Sequence, residues 1–543
     1  MKRIHLILLS VLSGLIMSAG WPARGFPLFL FVGFVPLLFI EDHISKQRTQ
    51  QKQFNRFSIF FYSYPAFFTW NVLTTWWIYN STATGAIVAF ICNSLFMAVV
   101  FSLFHATKRL SFSPVAGYLS LIVYWITFEY IHQAWELSWP WLNLGNGFAS
   151  QIQLIQWYEY TGIFGGSLWI LLANIMVFFI LKKTSFFTKG INISFWALLT
   201  FLVLWVIVPI LISKNIYQDY QETKDPVDIV VVQPNLDPYG EQYWLSTGEV
   251  MGRVFSLADK NAEKSTDFII CPESTIQERP LYESELVNST SYNLLHDYIQ
   301  KFNNLYVVIG ASTYKIFQEG EPLTHTARKF HDAEKYYDAY NTALMIDSAG
   351  KVNFYHKSRL TPGVEIMPYS KYLGFIENVA IDLGGTVGSL GTDKNRTPFN
   401  IPSKSIKVAP LICYESIYGE YCTQFIRNGA NLIFIITNDG WWGNTPGHRQ
   451  HLTFSSLRAI EARRSIARSA NTGISAFIDQ RGVIHQATEY WVQDAIRQSI
   501  NANDTLTFYV KNGDYIARIA SFLSALLLLI TFSTAIIKRK KLS

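Results

Sequence analysis

Cysteine is scarce in this chain and charge is sparse. The four cysteines among 543 residues, Cys92, Cys271, Cys413 and Cys422, are too few for a disulfide framework and lack metal-ligand spacing. No structural metal and no cofactor are therefore expected. Only 15% of residues are Asp, Glu, Lys or Arg, against about a quarter in ordinary soluble chains. The formal net charge of +6 does not gather on one amphipathic face. Its basic residues sit in short loops between apolar runs, which favours membrane topology over a nucleic-acid partner. Long low-complexity linkers and internal repeats are also missing.

What is present is hydrophobic: half of the residues are apolar and 16% are aromatic. Apolar runs fall at 4–20, 26–40, 57–79, 82–107, 114–135, 164–181, 193–212 and 515–537. Most approach the roughly 20 residues that cross a bilayer as a helix. Eight spans are expected, the second being short and interrupted by Pro36. The first also has the look of a signal peptide, with Lys2 and Arg3 before an apolar core.

Lys46, Arg48, Lys52 and Arg56, then Lys108 and Arg109, then Lys182, Lys183 and Lys189, and finally the tail 538–541 fall in alternate loops. The positive-inside rule puts these, and both chain ends, in the cytoplasm. The chain then divides into a membrane domain over 1–213 with seven helices, an outward-facing domain over 225–513, and an eighth helix with a basic tail over 514–543. Trp139, Trp141, Trp157 and Tyr158 in the outer loop 136–163 suit anchoring at the lipid boundary, with lipid entry as the alternative. Glu129 and His132, near the outer end of the fifth span, are functional candidates as ionisable residues within a span, with snorkelling to the interface as the cheaper alternative.

Between 225 and 513 the pattern shifts to short β-branched and aromatic runs at 227–232, 268–270, 306–309, 343–346, 352–355, 408–413, 432–437 and 475–478, which read as strands. Turns at 347–350 and 479–482 read as hairpins, and 455–469 has helical spacing. The mixture predicts an α/β or α+β domain. The charged segment 318–340 receives no function.

Three of these strands run into a reactive residue: Glu273, Lys357 and Cys413. A lone cysteine is most simply a buried small hydrophobe, and a lone glutamate or lysine a surface charge. Together they form a coherent set. A thiol near its reference value of about 8.5 is mostly protonated at neutrality, so a carboxylate acting as general base would release the thiolate while a lysine stabilised the oxyanion.

The frames around them are distinctive: Cys-Pro-Glu-Ser at 271–274, Tyr355-His-Lys357-Ser-Arg-Leu-Thr-Pro362 with Glu365, Ile412-Cys-Tyr-Glu415, Thr437-Asn-Asp439-Gly-Trp-Trp-Gly443, Gln450-His451, and Arg458 with Glu461, Arg464, Arg468 and Asn471-Thr-Gly473. In these the chain resembles the apolipoprotein N-acyltransferases of bacteria, members of the nitrilase superfamily of Glu-Lys-Cys enzymes. The resemblance implies a polytopic α-helical membrane domain of eight spans carrying an α/β nitrilase-like α-β-β-α sandwich. It makes Cys413 the nucleophile, Glu273 the base and Lys357 the oxyanion stabiliser. Glu365 matches a second essential glutamate, Tyr414 and Glu415 match positions beside the nucleophile, and Trp244 matches a tryptophan on a mobile arm. The family reads Leu-Val-Pro-Phe-Gly-Glu after the lysine. Here Leu360-Thr-Pro-Gly-Val-Glu365 keeps the spacing and moves the glycine.

The implied reaction moves a fatty acyl chain from a membrane phospholipid, through a cysteine thioester, to the amine of a diacylglyceryl-cysteine lipoprotein. It takes place on the periplasmic side of the bacterial inner membrane. Two competing readings are a membrane-anchored amide or nitrile hydrolase, and a transporter or scaffold that has lost catalysis. Cys271 and Cys422 read as buried free thiols, with a disulfide as the rival in an oxidising compartment.

Overall fold

The computed structural model describes residues 1–50, 54–110, 114–184, 193–369 and 389–540, so Lys52, Lys189 and Lys541 lie outside the described residues. The chain forms two units, Met1–Asp219 with Asn512–Ser543, and Tyr220–Lys511.

The first unit is helical: α1 (Arg3–Ala19), α2 (Val35–Gln50), α3 (Ser58–Thr75), α4 (Ala83–Leu110), α5 (Pro114–Ile131), α6 (Tyr158–Thr184), α7 (Ile193–Asp219) and, after the second unit, a last long helix (Tyr515–Lys540). Among the described residues, five stretches are long and apolar enough to cross a membrane, fewer than the eight spans expected: Pro27–Arg48, Ala83–Leu110, Tyr158–Lys182, Phe195–Asp219 and Tyr515–Lys538. Arg3–Ala19 and Ala116–Ile131 are apolar but shorter, and α3 carries Pro65 in its interior.

The expected second span differs in form. A 3-10 turn over Pro27–Phe31 precedes α2, and Pro36 sits in the first turn of α2, where its missing N–H costs no helical hydrogen bond. The helix continues past the apolar run because its acids are paired. Glu41, fully buried, takes His105 Nδ1 at 2.7 Å and Lys108, and Asp42 takes Lys46 and Lys182, both at 2.7 Å.

The snorkelling alternative for this unit is corrected. Glu129 does not snorkel. It is 2% exposed and accepts from Trp125 Nε1 (3.0 Å), the Leu144 N–H (2.7 Å) and Ser167 Oγ (2.6 Å). His132, equally enclosed, accepts from Trp135 Nε1 at 2.8 Å. A carboxylate with three local donors has no need of water. Of the loop aromatics, Trp141 and Tyr158 are buried and Trp139 and Trp157 half-buried, and Trp141 packs against Trp77 and Trp139 with centroids 4.8 and 5.5 Å apart.

The second unit holds two sheets. Its strands are β1 (Pro226–Gln233), β2 (Phe268–Ile270), β3 (Tyr306–Ile316), β4 (Arg328–Lys329), β5 (Tyr336–Ile346), β6 (Val352–His356), β7 (Phe399–Ile401), β8 (Ile406–Ile412), β9 (Leu432–Thr437), β10 (Ile466–Ala470), β11 (Ala476–Ile478), β12 (Ile484–His485) and β13 (Asp494–Asn501). One sheet runs β13-β1-β2-β3-β5-β4 with β6 on β5, the other β12-β11-β10-β9-β8-β7. The centres β1-β2-β3 and β8-β9-β10 are parallel and the margins antiparallel.

Parallel strands covered on both faces read as continuous apolar runs, and β9, Leu-Ile-Phe-Ile-Ile-Thr, is buried throughout. Phe268 of β2 meets Phe434 of β9 between the sheets, centroids 5.1 Å apart. Its neighbour Ile269 points the other way, into a core with Val250 and Val254 of α8 (Thr247–Ala258) and Leu295 and Ile299 of α9 (Thr290–Ile299). On the far side, α10 (Gly419–Arg427) covers β8 and α11 (Pro446–Ala462) covers β11. The order is helix, sheet, sheet, helix.

Both expected hairpins form, closed by Gly350 N–H to Asp347 O (3.0 Å) and Gly482 N–H to Asp479 O (2.9 Å). Each glycine has a φ near +80°, which an L side chain resists. The helix expected over 455–469 is corrected. α11 ends at Ala462, Arg463 turns left-handed (φ 49°), and Ile466–Ala470 is a buried strand between β9 and β11. Arginines at helical spacing extended the helical pattern across that turn.

Candidate active site

β8 is buried through Ile412, and the chain turns sharply at Cys413, whose φ is +50°. A non-glycine residue held left-handed requires support from its surroundings. Glu415, two residues on and fully buried, supplies part of it. Its Oε2 accepts the Ile412 N–H (2.9 Å), and its Oε1 accepts the Ser358 N–H (2.7 Å), Tyr355 Oη (2.7 Å) and Tyr421 Oη (2.6 Å). Glu415 thus ties the cysteine turn to the segment after β6. Tyr414 is buried beside it with its ring edge-on to Tyr418, 5.3 Å between centroids.

Glu273 follows β2 on a loop laid directly over β3. A Cβ at Gly310 would stand 2.6 Å from Glu273 Cα, so only glycine admits this approach. The Gly310 N–H donates to Pro272 O at 3.0 Å and Gly310 O accepts from Ile276 N–H at 2.9 Å. Lys357 follows β6, its N–H held by Asn341 O at 2.8 Å.

The three elements converge on one buried cluster. Lys357 Nζ donates to Glu273 Oε1 and to Glu365 Oε1, both at 2.9 Å. Asn341 Nδ2 donates to the same two oxygens at 2.7 and 2.9 Å. The Asn438 N–H reaches Glu273 Oε2 at 3.0 Å, and the Thr361 N–H reaches Glu365 Oε2 at 2.9 Å. The relocated glycine, Gly363, takes φ +77° and closes a tight turn through its N–H to Ile366 O (2.8 Å), so the altered loop still delivers Glu365 to the lysine.

Burial alone would drive Lys357 toward neutrality. Glu273 and Glu365 override it and hold the ammonium well above the usual lysine range. Burial also acts on Glu365, but Lys357 holds its carboxyl below the ordinary value. Burial first, then the Glu273 charge, pushes the Cys413 thiol up, with Lys357 opposing. The cluster therefore rests as a thiol beside an ionised lysine.

Asn341, which links both glutamates, escaped sequence reading. Trp244 stands apart from the cluster, 79% exposed between β1 and α8. Cys271 and Cys422 are free and buried, and burial pushes each thiol up to about 12. Among the described residues, no group of His, Cys, Asp or Glu is arranged to hold a metal.

His356 adds an outer clamp. Its Nε2 meets Glu283 Oε1 at 2.7 Å and its Nδ1 meets Asp393 Oδ1 at 2.9 Å, with Tyr340 stacked at 4.0 Å. Burial opposes the charge, but the hydrogen bonds to Asp393 and Glu283 raise it from 6.5 to about 9. A folded value above the unfolded one contributes stability that is complete below pH 6.5 and is lost as pH rises through about 9. That rise amounts to roughly 3 kcal/mol. We expect the melting midpoint of the detergent-solubilised protein to fall across this window, and His356→Gln to remove most of the fall. An unchanged slope in the variant would refute the clamp.

Residues 13–176 match the family model described as apolipoprotein N-acyltransferase N-terminal domain, and residues 229–505 match the one described as carbon-nitrogen hydrolase. The apolipoprotein N-acyltransferase of Chlorobaculum tepidum is 27% identical over 96% of both chains. That of Geobacter metallireducens is 24% identical over 94% of this chain and 92% of its own. That of Thermotoga maritima is 25% identical over 94% and 90%. Among solved structures, an amidase of the nitrilase superfamily from Nesterenkonia covers 55% of this chain and 97% of its own at 13% identity, with a TM-score of 0.36.

Proposed function

The chain belongs to the carbon-nitrogen hydrolase family, in its apolipoprotein N-acyltransferase branch, and on that premise we propose that Glu273, Lys357 and Cys413 carry its acyl transfer. The observation that carries this reading is the buried ammonium of Lys357 shared between Glu273 and Glu365 at the ends of strands that also deliver Cys413.

In the first half-reaction Glu273 takes the Cys413 proton as Sγ attacks an acyl ester of a phospholipid. Lys357 faces the negative charge that develops on the carbonyl oxygen. The S–C bond forms, the ester C–O bond breaks, and the lysophospholipid hydroxyl leaves with the proton held by Glu273. In the second, the amine of a diacylglyceryl-cysteine lipoprotein attacks the thioester, Glu273 takes the amine proton, and the amide forms as Cys413 regains its hydrogen. Glu365 keeps Lys357 charged and placed. Tyr414 and Glu415 hold the nucleophile's turn. Exposed Trp244 serves as a mobile arm over the thioester.

Both substrates are membrane lipids, which accounts for the attached helices. We assign 1–213 and 514–543 to the bilayer of the bacterial inner membrane and 225–513 to its periplasmic side, following the distribution of Lys and Arg. With labelled phospholipid and an acceptor lipopeptide, the purified protein is expected to produce N-acylated peptide. Release of free fatty acid without that product would replace this reading with a hydrolase.

A further inference from the structure

We propose that Thr437 is a further catalytic residue, its hydroxyl hydrogen-bonded to the Cys413 sulfur, and that Asp439, His451 and Arg468 form a buried network that positions both. β8 and β9 are parallel with Ile412 beside Ile436, so the next residue of each strand, Cys413 and Thr437, emerges side by side at the carboxyl edge. Thr437 Oγ1 donates to Asp439 Oδ1 at 2.8 Å, and the shared register leaves its side chain beside the thiol. Between them, the Asn438 N–H holds Glu273 Oε2. Three consecutive residues thereby span the base and the nucleophile.

Asp439 is fully buried. Burial would raise its carboxyl, but Arg468, with Nη2 at 2.5 Å from Oδ2, and His451 hold it well below the usual range. A carboxylate so stabilised is a poor base, which leaves proton removal to Glu273. What Asp439 does is orient Thr437. In the resting site the Thr437 proton points to Asp439, and the hydroxyl oxygen accepts the thiol proton. Once that proton has passed to Glu273, rotation of one hydroxyl hydrogen gives the sulfur anion a donor. Besides Lys357, Thr437 is the group that favours the thiolate, against burial and the charges of Glu273 and Asp439.

His451 grips the other side of the cysteine. Ser416 Oγ donates to Cys413 O at 2.7 Å, which uses its only hydrogen. His451 Nε2, 2.9 Å from Ser416 Oγ and 3.2 Å from Cys413 O, faces two acceptors and so carries a proton. Its Nδ1 lies 3.0 Å from Asp439 Oδ1 and 3.2 Å from Arg468 Nη2, which fixes the ring. The Nε2–H therefore pins the carbonyl of the one residue whose left-handed backbone aims the sulfur.

The inference rests on Cys413 being the nucleophile of the acyl transfer proposed above, and it is tested by two independent readouts. The first is the pH dependence of Cys413 alkylation by iodoacetamide, followed on its own peptide by mass spectrometry. The second is the rate of acyl-thioester formation from labelled phospholipid. Thr437→Val is expected to shift alkylation to higher pH by about one unit and to slow thioester formation about tenfold or more, the worth of one hydrogen bond to a charged group. Thr437→Ser is expected to restore both. His451→Gln keeps a donor near Nε2 and is expected to retain more activity than His451→Leu. If valine is not tolerated, Thr437→Ala gives the same comparison. A valine or alanine alkylation profile superimposed on the wild type overturns the role of Thr437. A wild type that alkylates with the expected Thr437 dependence but never forms an acyl adduct would instead overturn the acyltransfer reading.

Discussion

Cys413→Ala is expected to abolish the hydroxylamine-sensitive acyl adduct and to reduce N-acylation of a lipopeptide by roughly 10⁴-fold or more, the scale on which nucleophile loss is felt in covalent catalysis. The substitution removes one sulfur atom and adds no new backbone strain, because alanine and cysteine meet the same penalty at φ +50°. The turn keeps its anchors at Glu415, Ser416 and His451. Stability should therefore stay within about 1 kcal/mol of wild type, checked by thermal unfolding. Lys357 keeps Glu273 and Glu365, the two neighbours that hold it charged. A labelled adduct that persists in the alanine variant would place the thioester elsewhere, and Cys271 and Cys422 are poor candidates because burial pushes both thiols up. Cys413→Ser is a separate control: any acyl group it retained would be an ester, resistant to the mild hydroxylamine that releases a thioester.

What could be seen in the chain before its structure follows from where the information sits. Glu273, Lys357 and Cys413 were legible because each follows a short strand, β2, β6 or β8, and a reactive polar residue just past such a run stands out locally. Asn341 was not. It lies within β5 opposite Ser312, and its partner Glu273 is 68 residues away, so only the folded register brings it to the site. β10 was hidden by the preceding helix, and β13 by its polar alternation around Arg497, which pairs with Asp228 and Glu263. Segment 318–340, unassigned in sequence, forms the small strand β4 on β5, with Lys315 on Glu321 and Lys329 on Glu334 absorbing its charges. The snorkelling alternative for Glu129 failed for a related reason: the Leu144 and Ser167 donors that keep it inside come from a loop and helix that sequence spacing does not place beside it.

Glu365→Gln is expected to lower the rate of thioester formation by about 10²-fold or more and to change its pH profile, an effect that loop packing alone would not produce. The buried cluster holds two carboxylates against one ammonium, and both Lys357 and Asn341 donate to Oε1 of each. Glutamine keeps an acceptor for those donors but removes the second negative charge. Its amide also turns a donor toward the Thr361 N–H, which the carboxylate accepted at 2.9 Å. Since Glu365 follows Glu273 among the charges that raise Lys357, losing it lowers the lysine, and burial then weighs against the ammonium more heavily. A lysine that must be charged to meet an oxyanion loses function as pH rises through its own value. The alkaline limb of the variant should therefore move toward neutrality while that of the wild type stays high. Glu365→Asp, which restores charge at a shorter reach, should recover the limb before it recovers the rate. If the glutamine variant slows without any shift of the alkaline limb, Glu365 acts only by shaping the turn 361–366, and the charge it lends to Lys357 is not used in catalysis.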